Sequence, residues 1–340
     1  MTDVSAPRAD QTRQPGQTHQ PGQPDETARA AQATPAGPLR TKVTADELAR
    51  DPLGNLLRAL QLQQKPADDS RSDGADVRFG GLSVDQPNAR IYGGQVLAQA
   101  LIAAGLTVEG DRRPHSMHGY FLRAGDLDAP IEFAVEKLRD GRSFSARRTH
   151  AVQHGKPILS MIASFQEEQD GVDHTSPMPE APDPETLPSA FDELGKIPHP
   201  AARSRSHEAA FDLRHVGGSL YLGPGAERTD QQMVWMKARG PVEGDQLLHR
   251  ALMAYACDQI MLEPVLRKTG SSWVTPGASI ASLDHAMWWH RDARVDEWLL
   301  YVQSSPSAQG GRGLGAARVF TRDGTLVASI AQEGMLRLPV

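Results

Sequence analysis

The sequence predicts an α+β fold built from two copies of one unit, each a helix wrapped by an antiparallel sheet. Three observations carry that reading. A helix-like stretch, VLAQALIAAGL, follows Tyr92-Gly93-Gly94-Gln95 and leads into four strand-like stretches: HSMHGYFLR, PIEFAVEKL, SFSARRTHAVQ and PILSMIASFQ. A second helical stretch, Asp245 to Val265, leads into SIASLDHAMWWH, EWLLYVQSS, GAARVFT and TLVASIAQ. The last strands match across the copies, with Gly155-Lys156 ahead of ILSMIA and Gly324-Thr325 ahead of LVASIAQ.

The elements follow in order. Residues 1–43 are rich in Pro, Gln, Thr and Ala and have no large apolar residue between Val4 and Leu39, so they read as a disordered tail. An amphipathic helix is expected near Asp46–Leu60, carrying Leu48, Leu53, Leu56, Leu57 and Leu60. The first helix-and-sheet unit spans 44–168, with turn chemistry at Arg139-Asp140-Gly141 and at Gln153-His154-Gly155-Lys156. Residues 169–210 are acidic and proline-rich and read as a linker. Short strands near FDLRHV and QQMVWMKA open the second unit, 211–340.

The chain of 340 residues, 39% of them hydrophobic, is long enough for two such cores. A net charge of −6 argues against a general nucleic-acid binder. The single cysteine, Cys257, excludes an intramolecular disulfide and reads as a small buried filler rather than a reactive thiol. The N-terminus carries no charged-then-apolar signal pattern and no run of eighteen apolar residues occurs, so a cytoplasmic protein without a membrane span is expected.

The second helix carries the first candidate for chemistry. Steps of four and three residues give the stripe Leu247, Ala251, Ala254, Asp258, Met261 and Val265, with a carboxylate in its middle. A leucine there would gain about 1.5–3 kcal/mol of burial, whereas an unpaired buried charge costs several. Asp258 is therefore solvated, paired or used. Ser282 shares a strand face with Ile280, and Gln332 continues the alternation Leu326, Ala328, Ile330. Aligning Ser160 with Ser329 sets Ala163 opposite Gln332, so only the second copy keeps a polar group there. Each of the three alone is ordinary; together around one helix they suit activation of water, with Asp as proton acceptor and hydroxyl and amide as orienting groups.

No Gly-x-Ser-x-Gly elbow is present, and no histidine is an evident base for Cys257. Gly93-Gly94 either presents backbone N–H donors to an oxyanion or is a packing pair. Arg147-Arg148 offers one arginine to a phosphate while its neighbour faces solvent. His115 and His118, His285 and His290, and Asp284 and His285 all fall on opposite faces of strands, which disfavours metal chelation.

The stretches YGGQVLAQAL, HSMHGYFLRAGD, LRDGRSFSARR, GKPILSMIASFQ, YACDQIMLEPVL, ASLDHAMWWHR, EWLLY and GTLVASIAQEGMLR together resemble the acyl-CoA thioesterase II (TesB-type) family, from about Leu53 to Arg337. The resemblance implies a double hotdog and hydrolysis of medium-to-long-chain fatty acyl-CoA to fatty acid and coenzyme A, without cofactor or metal. It carries the family's water-holding Asp, Thr/Ser and Gln onto Asp258, Ser282 and Gln332. Gly93, Gly94, Gln95 and Arg148 are the candidate substrate contacts, and a homo-oligomer, dimer or tetramer, is implied. The rivals are a non-catalytic acyl-CoA-binding module and a hotdog enoyl-CoA hydratase. The hydratase would need an Asp and a His on one helix-proximal loop, an arrangement this chain lacks.

Overall fold

The computed structural model describes residues 41–339 apart from 68–72, 87–88, 199–201, 203–205 and 207–208. The expected tail lies almost wholly outside the described residues. In chain order the elements are β1 (Lys42–Val43), α1 (Ala45–Arg50), α2 (Pro52–Ala59), β2 (Gln63–Gln64), β3 (Val77–Gly81), β4 (Ser83–Val84), α3 (Gly93–Gly105), β5 (Arg113–Phe121), β6 (Ile131–Asp140), β7 (Phe144–Gln153) and β8 (Lys156–Gln166). They continue with α4 (Ala190–Gly195), β9 (Phe211–His215), β10 (Gln231–Ala238), α5 (Gln246–Cys257), α6 (Glu263–Thr269), β11 (Ser279–Ser282), β12 (Asp284–Trp289), β13 (Leu299–Gln309), β14 (Arg312–Thr321) and β15 (Leu326–Arg337).

One 13-stranded sheet runs through both halves in the order β2-β3-β6-β7-β8-β5-β12-β15-β14-β13-β10-β9, with β11 on β15. The order is palindromic about the antiparallel β5–β12 pair, where Met117 stands opposite Met287. The first half lays its strands over α3, and in the second half β10, β13 and β14 lie over α6, the continuation of α5. This is the double hotdog expected from the sequence.

The two long helices owe their place to their composition. Every residue of α3 from Gly94 to Ala104 is buried, as a helix apolar on all sides must be. Helices α3 and α5 pack against each other in opposite directions. A β-carbon on Gly105 would meet the Leu247 side chain, and one on Gly94 would fall on the Tyr255 carbonyl oxygen. Glycine at both ends of α3 thus permits the close approach.

Two expected helices are each broken by proline chemistry. Asp51 leaves helical geometry (φ −153°, ψ 82°), ending α1 and capping α2 ahead of Pro52, because the residue before proline avoids the helical region. The expected helix from Asp245 to Val265 stops at Cys257 and restarts as α6, capped by Gly270 at φ 70°. Pro264, whose place near the end of the 245–265 stretch suggests the last turn of a single helix, opens this second helix instead. Having no N–H, it cannot bond Ile260 as a continuous helix requires. The chain between tightens into three-residue turns, Ile260 N donating to Cys257 O and Glu263 N to Ile260 O, both at 3.0 Å. Gln303 Nε2 donates to the same Ile260 carbonyl at 3.0 Å.

Turn chemistry sets the strand register. His154 and Gly155 both take positive φ, 50° and 69°, in the two-residue loop between β7 and β8. The segment expected as a linker is docked. Trp235 Nε1 donates to Pro182 O at 2.9 Å and Trp298 Nε1 to Glu185 at 3.0 Å. Met178, Ala181 and Leu187 cover the outer apolar cluster of Trp235, Trp298, Leu300 and Phe320. Among the described residues, no helix is long and apolar enough to cross a membrane.

Candidate active site

Asp258 stands at the end of α5, where the helix breaks, with only 8% of its surface exposed. The break points its side chain at β11 and β15. Ser282 Oγ donates to Asp258 Oδ1 at 3.0 Å and Gln332 Nε2 donates to the same oxygen at 2.9 Å. The second N–H of that amide reaches Ser282 Oγ at 2.8 Å, closing a triangle. The three candidate catalytic residues therefore come together. With Oδ1 held by two donors, Oδ2 faces the start of α3: a β-carbon on Gly93 would stand 2.9 Å from it and 3.0 Å from Phe121 Cε1.

Glycines opposite the break make room for it. A β-carbon on Gly315 of β14 would fall on the Met261 carbonyl oxygen, and one on Gly334 of β15 on the Leu262 side chain. Tyr92, the residue before α3, donates its hydroxyl to Tyr255 O at 2.8 Å and so ties the two helix ends together. Burial, and then the charge of Asp258, push its phenol well above the ordinary range, which keeps it a donor.

One further residue belongs to this group. His285 is fully buried, its Nδ1 2.5 Å from Gln332 Oε1 and its Nε2 3.5 Å from Cys257 Sγ. Alternation does put Asp284 and His285 on opposite faces. What the sequence conceals is a shift between β11 and β12. Ser282 lies opposite Gly334 while Ala286 lies opposite Ala331, four residues on one strand against three on the other. That bulge re-aims the chain so that Ser282 and His285 both face the helix break. Cys257 therefore does have a histidine beside it, contrary to expectation. Burial, and then Asp258, push its thiol well above the ordinary range, so it is not a nucleophile in this setting.

Two other candidates have different tasks. Gln95 points away from Asp258: its Oε1 accepts from Val84 N at 2.8 Å, and its Nε2 donates to Leu82 O at 3.1 Å and to Gln99 Oε1 at 3.0 Å. The α3 face it occupies packs on the β3–β4 turn. Arg148 lies on the outer face of β7, half-exposed and paired with Glu136 at 2.9 Å. Its neighbour Arg147 is the inward one, bonded to Thr107 and Asp140. Gly93 alone of the four candidate substrate contacts lies beside the Asp258 carboxylate, while Gly94 packs on the Tyr255 backbone.

The chain is thus a double hotdog whose candidate polar cluster lies where the two helices meet. Comparison with known proteins makes the assignment specific. Residues 82–166 match the acyl-CoA thioesterase N-terminal domain and residues 177–336 the acyl-CoA thioesterase C-terminal domain. The chain is 39% identical over 264 residues to human acyl-coenzyme A thioesterase 8, covering 74% of this chain and 82% of that protein. It is 34% identical over 294 residues to acyl-CoA thioesterase 2 of Haemophilus influenzae, covering 84% of this chain and 98% of that protein. Among solved structures, acyl-CoA thioesterase II TesB2 from Mycobacterium marinum superposes with a TM-score of 0.66 at 40% identity, over 84% of this chain and 98% of that one. The chain belongs to the acyl-CoA thioesterase II (TesB-type) family and is a thioester hydrolase.

Proposed function

We propose that the chain hydrolyses medium-to-long-chain fatty acyl-CoA by direct attack of water activated at Asp258. The observation that carries the reading is the Asp258–Ser282–Gln332 triangle, with Asp258 Oδ2 directed to the N-terminus of α3. Two donors on Oδ1 fix the carboxylate plane and spend that oxygen's acceptor capacity. Oδ2 is left as the base that takes the proton of the attacking water, while Ser282 and Gln332 hold the carboxylate that positions it. General-base assistance supplies about 10²–10⁴ in rate, roughly 3–5 kcal/mol. The first N–H groups of α3 have no partner within the helix, so those of Gly93 and Gly94 suit the oxyanion of the tetrahedral intermediate. Collapse of that intermediate breaks the C–S bond and releases coenzyme A as the thiol. The chain-length preference and a homo-oligomer rest on the family resemblance.

Thiol release from acyl-CoA of graded chain length, followed with a thiol-reactive dye, tests this. One thiol per ester consumed, with the highest kcat/KM on medium to long chains, is expected. Binding without thiol release would make the chain a carrier module. Consumption of an enoyl-CoA without thiol release would make it a hydratase.

A further inference from the structure

The triangle accounts for the amino end of the Gln332 amide and leaves its carbonyl end to be explained. An amide can rotate by half a turn at almost no cost in shape, exchanging donors for an acceptor. Rotated, Gln332 would set Oε1 2.9 Å from a carboxylate oxygen and withdraw the donors that hold Asp258 and Ser282. The carbonyl end is where rotation is decided. There, Gln332 Oε1 lies 2.5 Å from His285 Nδ1, a separation that two acceptors do not tolerate and that requires a proton between them. His285 therefore carries its proton on Nδ1 and leaves Nε2 as an acceptor, facing the Cys257 thiol at 3.5 Å. Burial lowers the imidazole pKa and raises that of the thiol, which keeps the ring neutral and the sulfur protonated.

We infer that His285 is a positioning residue of the hydrolytic site: its Nδ1–H locks the Gln332 amide in the one orientation that holds Asp258 and Ser282. Cys257 sits on the far side of the ring, where it favours that tautomer. The inference rests on the Asp258 mechanism proposed above.

A second observation supports it independently. The halves are equivalent in backbone detail. Leu122 N and Arg123 N both donate to Ile158 O, and His290 N and Arg291 N both donate to Val327 O. Arg123 Nη1 caps Pro157 O at 2.7 Å just as Arg291 Nη1 caps Leu326 O at 2.9 Å. Counting back along each strand, His285 corresponds to Met117 and Gln332 to Ala163. Met117 and Ala163 face each other across the β5–β8 ladder, both fully buried. Where the fold asks only for packing, a methionine and an alanine fill the place. The histidine and the glutamine occur together, in the half whose helix ends in Asp258.

The test is a set of variants assayed for thiol release and for melting temperature. His285→Met, which installs the side chain of the equivalent position, should stay folded, keep KM within about twofold and lose about tenfold or more in kcat. His285→Asn, whose side-chain amide reaches the place of Nδ1, should recover most of that loss. His285→Gln, which leaves that place empty, should not. In a Gln332→Ala background, His285→Met should cost nothing further, because the amide it orients is gone. That double variant recreates the Met117–Ala163 pair and so keeps the comparison open even if His285→Met alone does not fold. Wild-type kcat in His285→Met, or full additivity with Gln332→Ala, overturns the inference. If instead Asp258→Asn and Gln332→Ala are themselves as active as the wild type, it is the Asp258 mechanism that fails.

Discussion

Gly93 and Asp258 belong to different halves of the chain, yet a β-carbon on Gly93 would stand only 2.9 Å from Asp258 Oδ2. The candidate base and the candidate oxyanion donors are thus neighbours because α3 begins where α5 ends. Neither half contains the site alone: the second supplies the side chains and the first the helix N-terminus.

Replacing Asp258 by Asn keeps the size of the side chain and removes its ability to accept a proton. Turnover should fall by at least about 10², with acyl-CoA binding and melting temperature little changed. Steady-state kinetics beside a thermal melt checks this. Loss of folding with unchanged activity per folded molecule would make Asp258 a structural carboxylate.

Gly315 faces the helix break, and a β-carbon there would collide with the Met261 backbone carbonyl. Backbone cannot swing aside as a flexible side chain can, so Gly315→Ala must displace the turn that holds Asp258. A cost of about 1–3 kcal/mol and a fall of several degrees in melting temperature are expected, with a larger proportional loss in kcat. Gly171→Ala, where nothing lies within 4 Å of the added carbon, is the matched control and should change neither.

Binding should saturate at one equivalent per chain. The first half offers Met117 and Ala163, both apolar and buried, where the second has His285 and Gln332. Its helix α3 carries no carboxylate. Calorimetric titration with a non-hydrolysable acyl-CoA analogue checks this; two equivalents of equal affinity would contradict it.

Stability should fall as pH drops below about 6.5. Burial lowers the pKa of His285, His249 and His115 from their ordinary 6.5, so the unfolded chain takes up protons at a higher pH than the folded one. The contribution is complete above 6.5 and is lost progressively beneath it. A second loss belongs to carboxylates such as Asp73, which a hydrogen bond from Arg78 holds below its ordinary 3.8. That stability is present above 3.8 and disappears at lower pH. Chemical denaturation in steps from pH 8 to pH 3 should show both stages, and His285→Met should weaken the first.

How much of this was legible in the sequence differs from element to element. The long strands of both halves follow from period-two patterning and from turn residues such as His154-Gly155, because local sterics decide them. Asp258 was visible as a charge on an apolar stripe, and Ala163 against Gln332 as an asymmetry between repeats. The break after Cys257 was less so, since Pro264 reads equally well as the end of one helix or the start of another. His285 was hidden for a different reason. Alternation says which neighbours share a face, but it fails across the bulge between β11 and β12, which only the pairing with β15 reveals. Gln95 looked like a site residue from its place after the glycines; its partners Leu82 and Val84 are distant in function and close only in space.

The β5–β12 ladder joins the halves by a row of backbone hydrogen bonds, beside the packing of α3 on α5. Side-chain interfaces can be tuned, loosened or hinged by substitution, whereas a ladder is indifferent to sequence and all-or-none in register. The two repeats are therefore free to drift apart in composition while their relative orientation stays fixed, so one can shed its chemistry and still serve as scaffold for the other. Cutting the chain between them would leave β5 and β12 as raw edges with unpaired amides, inviting each fragment to pair with another copy of itself.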